Sequence, residues 1–419
     1  MSQEMTVATP EAAPPPVRSS ARVRWRIVGL VAAVFVALAG VRFITGQPML
    51  TNIGTIQTTL AFAVPIGLAG LGGLWAERSG IINIGLEGMM ILGTWCSAYF
   101  AWSLDSPWAG LVAGVVGGML GGLLHAVATV TFAVDHIVSG VAINILALGA
   151  MRYLSILSYN DVPGAGAAQS PPLPSFPRVG LPFVADLLAP VRATKWFVVS
   201  DLASLIAGLT TGMSIVTLLA ILLVPTTYWV LFRTTFGLRL RSCGENPDAA
   251  ESLGVPVYTY KYIAVTVSGG FAGLGGVFLA MVASSIYQEG QTGGRGYIGL
   301  AAMIFGNWRP GGLAMGASLF GYTDALQVRG GGAAVHALLL LIAAALVAVA
   351  VWQWRRGARR TAIVAAVGAV VLLAWYLLTD TLPGELVTYS PHIATLLVLA
   401  LAAQRLRAPA AIGRQWRKS

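Results

Sequence analysis

Lysine is almost missing from this chain: only Lys195, Lys261 and Lys418 occur among its 419 residues. None of them stands in a G-x-x-x-x-G-K-[ST] loop, so the sequence does not supply the usual phosphate-cradling lysine of an ATP hydrolase. The G-x-S-x-G, H-E-x-x-H and C-x-x-C patterns are also absent, which leaves no recognisable catalytic constellation. Cysteine is limited to Cys96, in an apolar run, and Cys243, in a polar loop, and this pair implies no disulfide framework. His125, His136, His336 and His392 are too scattered to form a metal-ligand set, and no cofactor is expected. Charge of either sign is scarce, at 10% of residues, where a soluble protein carries roughly 25%.

Hydrophobic residues take up the difference, at 56% of the chain with 50 glycines and a mean hydropathy of +0.76. Runs of about 20 apolar residues recur, the length needed to cross a hydrocarbon core. A closed barrel would show alternating segments of about 10 residues instead. The expected fold is therefore an all-α polytopic membrane protein with about 10–12 transmembrane helices.

Residues 1–25, rich in Ala, Pro and Ser, read as a disordered tail, and Ile27–Val41 reads as a retained first span rather than a cleaved signal. Further spans are expected at 57–76, 81–102, 108–134, 136–158, 212–232, 258–285, 287–306, 312–327, 334–354, 361–379 and 390–406. The net charge of +10 sits in short clusters between spans, which is how orientation is set, and does not point to nucleic acid. Arg78, Arg233, Arg239, Arg241, Arg309 and Arg355 fall on the side of both termini, whereas Arg178, Arg192, Lys195, Arg295 and Arg329 fall on the other. That bias places the termini in the cytoplasm. Of the charges inside apolar runs, Arg42 is expected to snorkel, while Arg152 and Asp324 either snorkel or pair with each other.

Two polar stretches stand out. The first is Phe232–Val255, where Asn246 suits an N-cap, Pro247 the first helical position, Asp248 the positive end of the helix dipole, and Gly254 a left-handed stop. A short helix of about two turns, defined at both ends, is expected there. The second is Glu77–Gly88, E-R-S-G-I-I-N-I-G-L-E-G, which interrupts an apolar region. Glu77 and Arg78 either cap a tight turn with Asn83 and Glu87 solvated beside it, or Asn83 and Glu87 share a helix face inside the bundle on a polar path. A third region, 160–200, is rich in Pro and Gly and reads as a lid, a docking surface or a linker. Ala69-Gly70-Leu71-Gly72-Gly73 recurs as Ala272-Gly273-Leu274-Gly275-Gly276 on spans of opposite direction, the pattern an inverted repeat would give.

Residues 77–90 and 244–255 resemble signatures of bacterial ABC-importer permeases of the branched-chain amino-acid/ribose superfamily, with the nearest likeness to the nucleoside or simple-sugar branch. The resemblance continues through 269–312 and resumes at 390–417. It implies a core permease at 26–333, an inserted pair of spans at 334–389 of unknown purpose, and a final span with a basic tail at 390–419. It further implies a multi-pass subunit of the bacterial inner membrane that makes no covalent chemistry of its own. Gly244, Glu245, Asn246, Pro247, Asp248, Ala249, Ala250, Glu251 and Gly254 would form the coupling helix that seats on a cytoplasmic ATPase. The implied partners are that ATPase, a second, paralogous permease, and a lipid-anchored substrate-binding protein outside. The cargo would be a nucleoside or a related sugar, with another neutral solute or an ion-coupled mechanism as alternatives.

Overall fold

A computed structural model describes residues 20–389 and 406–417. Its helices are α1 (Ser20–Thr45), α2 (Ile53–Arg78), α3 (Leu86–Ser103), α4 (Pro107–Ala126), α5 (His136–Tyr159), α6 (Pro182–Ala193) and α7 (Val199–Thr210). They continue as α8 (Ile215–Arg233), α9 (Thr235–Glu245), α10 (Pro247–Ser252), α11 (Val257–Val277), α12 (Arg295–Phe305), α13 (Pro310–Arg355) and α14 (Arg359–Leu378). Among the described residues the only named strands are β1 (Arg178–Val179) and β2 (Met213–Ser214), which pair antiparallel. Among the described residues, seven helical segments are long and apolar enough to cross a membrane, and α12, α7 and Val31–Thr45 are shorter apolar helices. The chain is an all-α, multi-pass membrane protein.

Burial separates centre from periphery. The apolar windows of α2 and α11 are 72% and 78% buried within the protein, against 17% for α14 and 28% for α5, so α2 and α11 form the axis around which the others pack. The two A-G-L-G-G copies lie on these central helices and let neighbouring backbones touch. A Cβ at Gly72 would fall 2.5 Å from the Ser268 carbonyl oxygen of α11, and one at Gly273 would fall 2.4 Å from that of Gly114 in α4. Each of these helices is followed by a non-helical stretch, 79–85 after α2 and 284–294 after α11, and then by a helix that starts afresh, α3 or α12.

Several expected spans are redrawn. The span at 81–102 starts as helix only at Leu86, and the one at 287–306 only at Arg295, because the preceding residues form turns and irregular backbone. The spans at 312–327 and 334–354 run together in α13, broken at Gly331 with φ 54° and ψ −155°. That break is required, because an unbroken helix of this length would reach about 69 Å, more than twice the hydrocarbon thickness of about 30 Å. Helix α1 begins at Ser20, inside the stretch expected as tail. The final span expected at 390–406 lies almost wholly outside the described residues.

The charges inside the spans also find partners. Arg42 does not snorkel: its Nε lies 2.9 Å from the Asp201 carboxylate, which is 1% exposed and also accepts from the Thr51 hydroxyl. Arg152 pairs with Glu289 at 3.6 Å rather than with Asp324.

Candidate functional site

The stretch 79–85 is backbone without a ladder, and its polar groups must be satisfied inside the protein. Gly80 turns the chain with φ 91°. His125 Nε2 lies 3.0 Å from the Ile82 carbonyl, and its Nδ1 is 2.9 Å from the Ser139 hydroxyl. The Ile82 N–H points to His136 Nδ1 at 3.4 Å. Asn144 donates from Nδ2 to the Ile84 carbonyl at 3.1 Å and accepts the Gly88 N–H at 2.7 Å. Asn83 is fully buried and donates to the Ser268 hydroxyl of α11 at 2.9 Å. Three side chains from α4 and α5 thus do for this segment what helical hydrogen bonds would otherwise do.

Glu87, in the first turn of α3, reaches across to the first turn of α12. Its Oε1 accepts the Gly294 N–H at 2.8 Å and its Oε2 the Gly296 N–H at 2.7 Å. Two helix N-termini, each with a positive dipole end, therefore converge on one buried carboxylate. The approach is too close for any side chain at 296, where a Cβ would fall 2.6 Å from the Glu87 nitrogen. With 11 residues, α12 spans only about 16 Å, so the meeting point sits roughly half a bilayer away from the turn that ends α12.

The Pro/Gly-rich stretch 160–200 is anchored beside this junction. Ser170 N–H donates to the Tyr287 carbonyl at 3.0 Å, Leu173 N–H to Ser285 at 2.9 Å, and Glu289 N–H to Ala168 at 2.8 Å. The segment 168–173 is thereby laced to the chain that leads into α12.

At one end of the bundle three turns gather. Helix α10 is built as its sequence dictates: Asn246 Oδ1 accepts the Ala249 N–H at 3.1 Å, and Pro247 occupies the first helical position. The helix ends in a Schellman arrangement, with Gly254 N–H to Glu251 at 2.8 Å, Val255 N–H to Ala250 at 3.0 Å, and Gly254 at φ 81°. Pro247 and Ala250 are buried, while Glu245, Asn246, Asp248, Ala249 and Gly254 face outward. Leu253, at the tip, is 85% exposed. Gly244 packs on the α2–α3 turn, where a Cβ would fall 2.3 Å from the Arg78 carbonyl oxygen. The α12–α13 turn joins them: Arg78 donates to the Trp308 carbonyl at 2.6 Å, and Trp308 Nε1 donates to Glu77 at 2.5 Å. Beneath α10, burial pushes the Cys243 thiol up to about 11, so it stays a protonated packing group.

Residues 55–351 match the family described as the permease component of the branched-chain amino acid transport system. The chain belongs to that family. The guanosine ABC transporter permease protein NupQ of Bacillus subtilis is 39% identical over 283 residues, covering 66% of this chain and 82% of NupQ. The nucleoside ABC transporter permease protein NupC of Lactococcus lactis is 35% identical over 287 residues, covering 66% of this chain and 82% of NupC. A second guanosine ABC transporter permease protein of Bacillus subtilis, NupP, is 25% identical over 312 residues, covering 70% of this chain and 81% of NupP. No solved structure matches the chain.

In this permease the expected site residues fall into two sets. Asn83 and Glu87 are both inside the bundle, 0% and 7% exposed, and not beside a solvated turn. They do not share a helix face, because Asn83 precedes the first helical residue, Leu86. Within the 244–254 set, Gly244, Pro247 and Ala250 look inward, Glu251 is half-buried, and the remaining five are exposed. Sequence reasoning missed Leu253, whose apolar exposure next to the helix stop was the available signal. It also missed His125, His136 and Asn144, which look like ordinary helical residues until the non-helical segment they serve is in place.

Proposed function

We propose that this chain is the membrane-spanning subunit of an ATP-driven importer of nucleosides. The family membership and the guanosine and nucleoside transport for which NupQ and NupC are named support the cargo class. The observation that carries the ATP-driven reading is α10: a short, fully capped helix with an exposed Leu253 at its tip, preceded by Gly244 of α9, which packs on the turn that ends α2. Such a helix is a lever for a partner ATPase, since this chain has no phosphate-binding lysine of its own. The charge bias supports a cytoplasmic position for this end, with both termini there and the 160–200 stretch facing the other side, towards a substrate-binding lipoprotein. The membrane would be the bacterial inner membrane.

The solute path lies between this permease and a paralogous second one. The guanosine permeases NupQ and NupP match this chain very unequally, at 39% and 25%, in keeping with two distinct permease types in one system. Helix α5 offers an extensive exposed apolar face for that second chain, including Ile145, Leu146 and Leu157. ATP binding closes the ATPase dimer, α10 carries the movement into the α2–α3 and α12–α13 turns, and the junction at Glu87 lies where these broken helices meet.

An ion-coupled transporter is less well supported. Of the two carboxylates the sequence suggests for it, Glu87 already holds a backbone N–H on each oxygen, and Asp324 lies in the electrostatic reach of Arg295. Reconstitution in vesicles separates the two mechanisms. Nucleoside uptake should require the ATPase, the second permease and the lipoprotein. Uptake by this polypeptide alone under an ion gradient would overturn the proposal. Leu253→Asp should reduce ATPase co-purification by at least tenfold while membrane insertion is kept, the loss expected when a charge is buried at an apolar contact.

A further inference from the structure

Residues 406–417 are woven into the end of the bundle that carries α10. The Ala411 N–H donates to the Gly244 carbonyl at 2.9 Å, and the Gly413 N–H donates to the Gly80 carbonyl at 2.9 Å. The Ala410 N–H donates to the Glu245 carboxylate at 3.1 Å, and the Arg407 N–H to Asn307 Oδ1 at 2.8 Å. Trp416 is buried against Tyr258, with ring centroids 5.3 Å apart, and its Nε1 donates to the Asp248 carboxylate at 2.7 Å. Lys261 Nζ lies 5.6 Å from the centre of the same ring. One short segment therefore bonds to the α2–α3 turn, to α10 and to the α12–α13 turn.

We propose that 406–417 is a strap that positions α10 for coupling, making the lever and the two turns move as one body. Apart from the strap, α10 packs inward through Pro247 and Ala250, the latter clustered with Cys243 of α9 and Val257 of α11. A helix that short has no stability of its own, because nucleation is costly and most helical stability comes from tertiary packing. The strap supplies that packing through Trp416 and fixes the angle of α10 through Asp248 and Glu245. Energy delivered to an unstrapped α10 would bend the loop instead of moving the broken helices. This inference rests on the ATP-driven reading for its transport consequence, but the positioning itself is a property of the permease alone.

The test replaces 407–417 with a Gly/Ser chain of equal length and, separately, makes Trp416→Phe, which keeps an aromatic ring, smaller than the indole, and removes the N–H. In the assembled transporter, ATPase co-purification should persist while nucleoside imported per ATP hydrolysed falls at least tenfold for the replacement and two- to fivefold for Trp416→Phe. In the isolated permease, backbone amide exchange across 248–253 should accelerate at least tenfold and about threefold, respectively. An unchanged import-to-hydrolysis ratio in both variants overturns the strap. If the replacement does not reach the membrane, Trp416→Phe decides, and unchanged exchange across 248–253 overturns the proposal. If the unaltered permease binds no ATPase, the ATP-driven reading fails, and exchange in the isolated chain still supports or overturns the positioning.

Discussion

Glu87 illustrates how one side chain acquires its meaning from two elements. An ionised carboxylate in a low-dielectric interior is costly unless hydrogen bonds and opposite charge compensate it. Here the compensation is the paired N–H groups of Gly294 and Gly296 together with two helix dipoles. Hydrogen bonds to a charged acceptor contribute about 1.5–3 kcal/mol each. Glu87→Ala should therefore cost at least about 3 kcal/mol and lower the thermal midpoint of the purified protein, whereas Glu87→Gln, which keeps one acceptor oxygen, should cost less than half of that. Equal midpoints for all three proteins would show that the carboxylate does not hold α12. The acidity of position 87 and its place in an apolar region were plain in the sequence. Its partners, 207 and 209 residues away, were not, because nothing local to Glu87 selects Gly294 or Gly296.

At the scale of elements, helix α10 and the stretch 79–85 are opposite cases. Every end signal of α10 is local: the Asn246 cap, Pro247, Asp248 and Gly254 act within a few residues, so the helix was legible in advance. The non-helical 79–85 segment reads as the start of a span because its side chains are mostly apolar. It stays non-helical with its backbone satisfied because His125, His136 and Asn144 arrive from α4 and α5 to bind it. Contact between the two elements runs through Gly244, whose missing Cβ lets α9 touch the Arg78 carbonyl. Gly244→Val should push these elements apart, leaving insertion intact while reducing transport at least tenfold in the reconstituted system. Transport at the unaltered rate would mean that the close approach is dispensable.

On the scale of the whole molecule, the charges left over from the spans act as long-range ties. The Arg42–Asp201 pair joins α1 to α7 across 159 positions, with the two side chains 13% and 1% exposed. Removing one partner of a buried pair costs about 3–5 kcal/mol because the other charge is stranded, whereas replacing both with apolar residues is often neutral. Asp201→Ala should accordingly lower the unfolding midpoint markedly, and Arg42→Met with Asp201→Leu should restore most of it; a double variant no better than the single one would argue against a stranded charge.

By itself the sequence determined the membrane-embedded all-α class, the approximate places of most spans, and the capped helix at 246–254. Those features depend on apolar run length, on backbone hydrogen bonds that close within a segment, and on caps acting over a few residues. Only the tertiary structure decided where helices stop short, that α3 and α12 meet head to head at Glu87, and that 406–417 straps α10 to the turns beside it. The first two rest on polar groups far apart in the chain that are forced together because no water is present in the hydrocarbon to satisfy them separately. The third rests on the burial of Trp416 and on backbone bonds to residues far away in the chain.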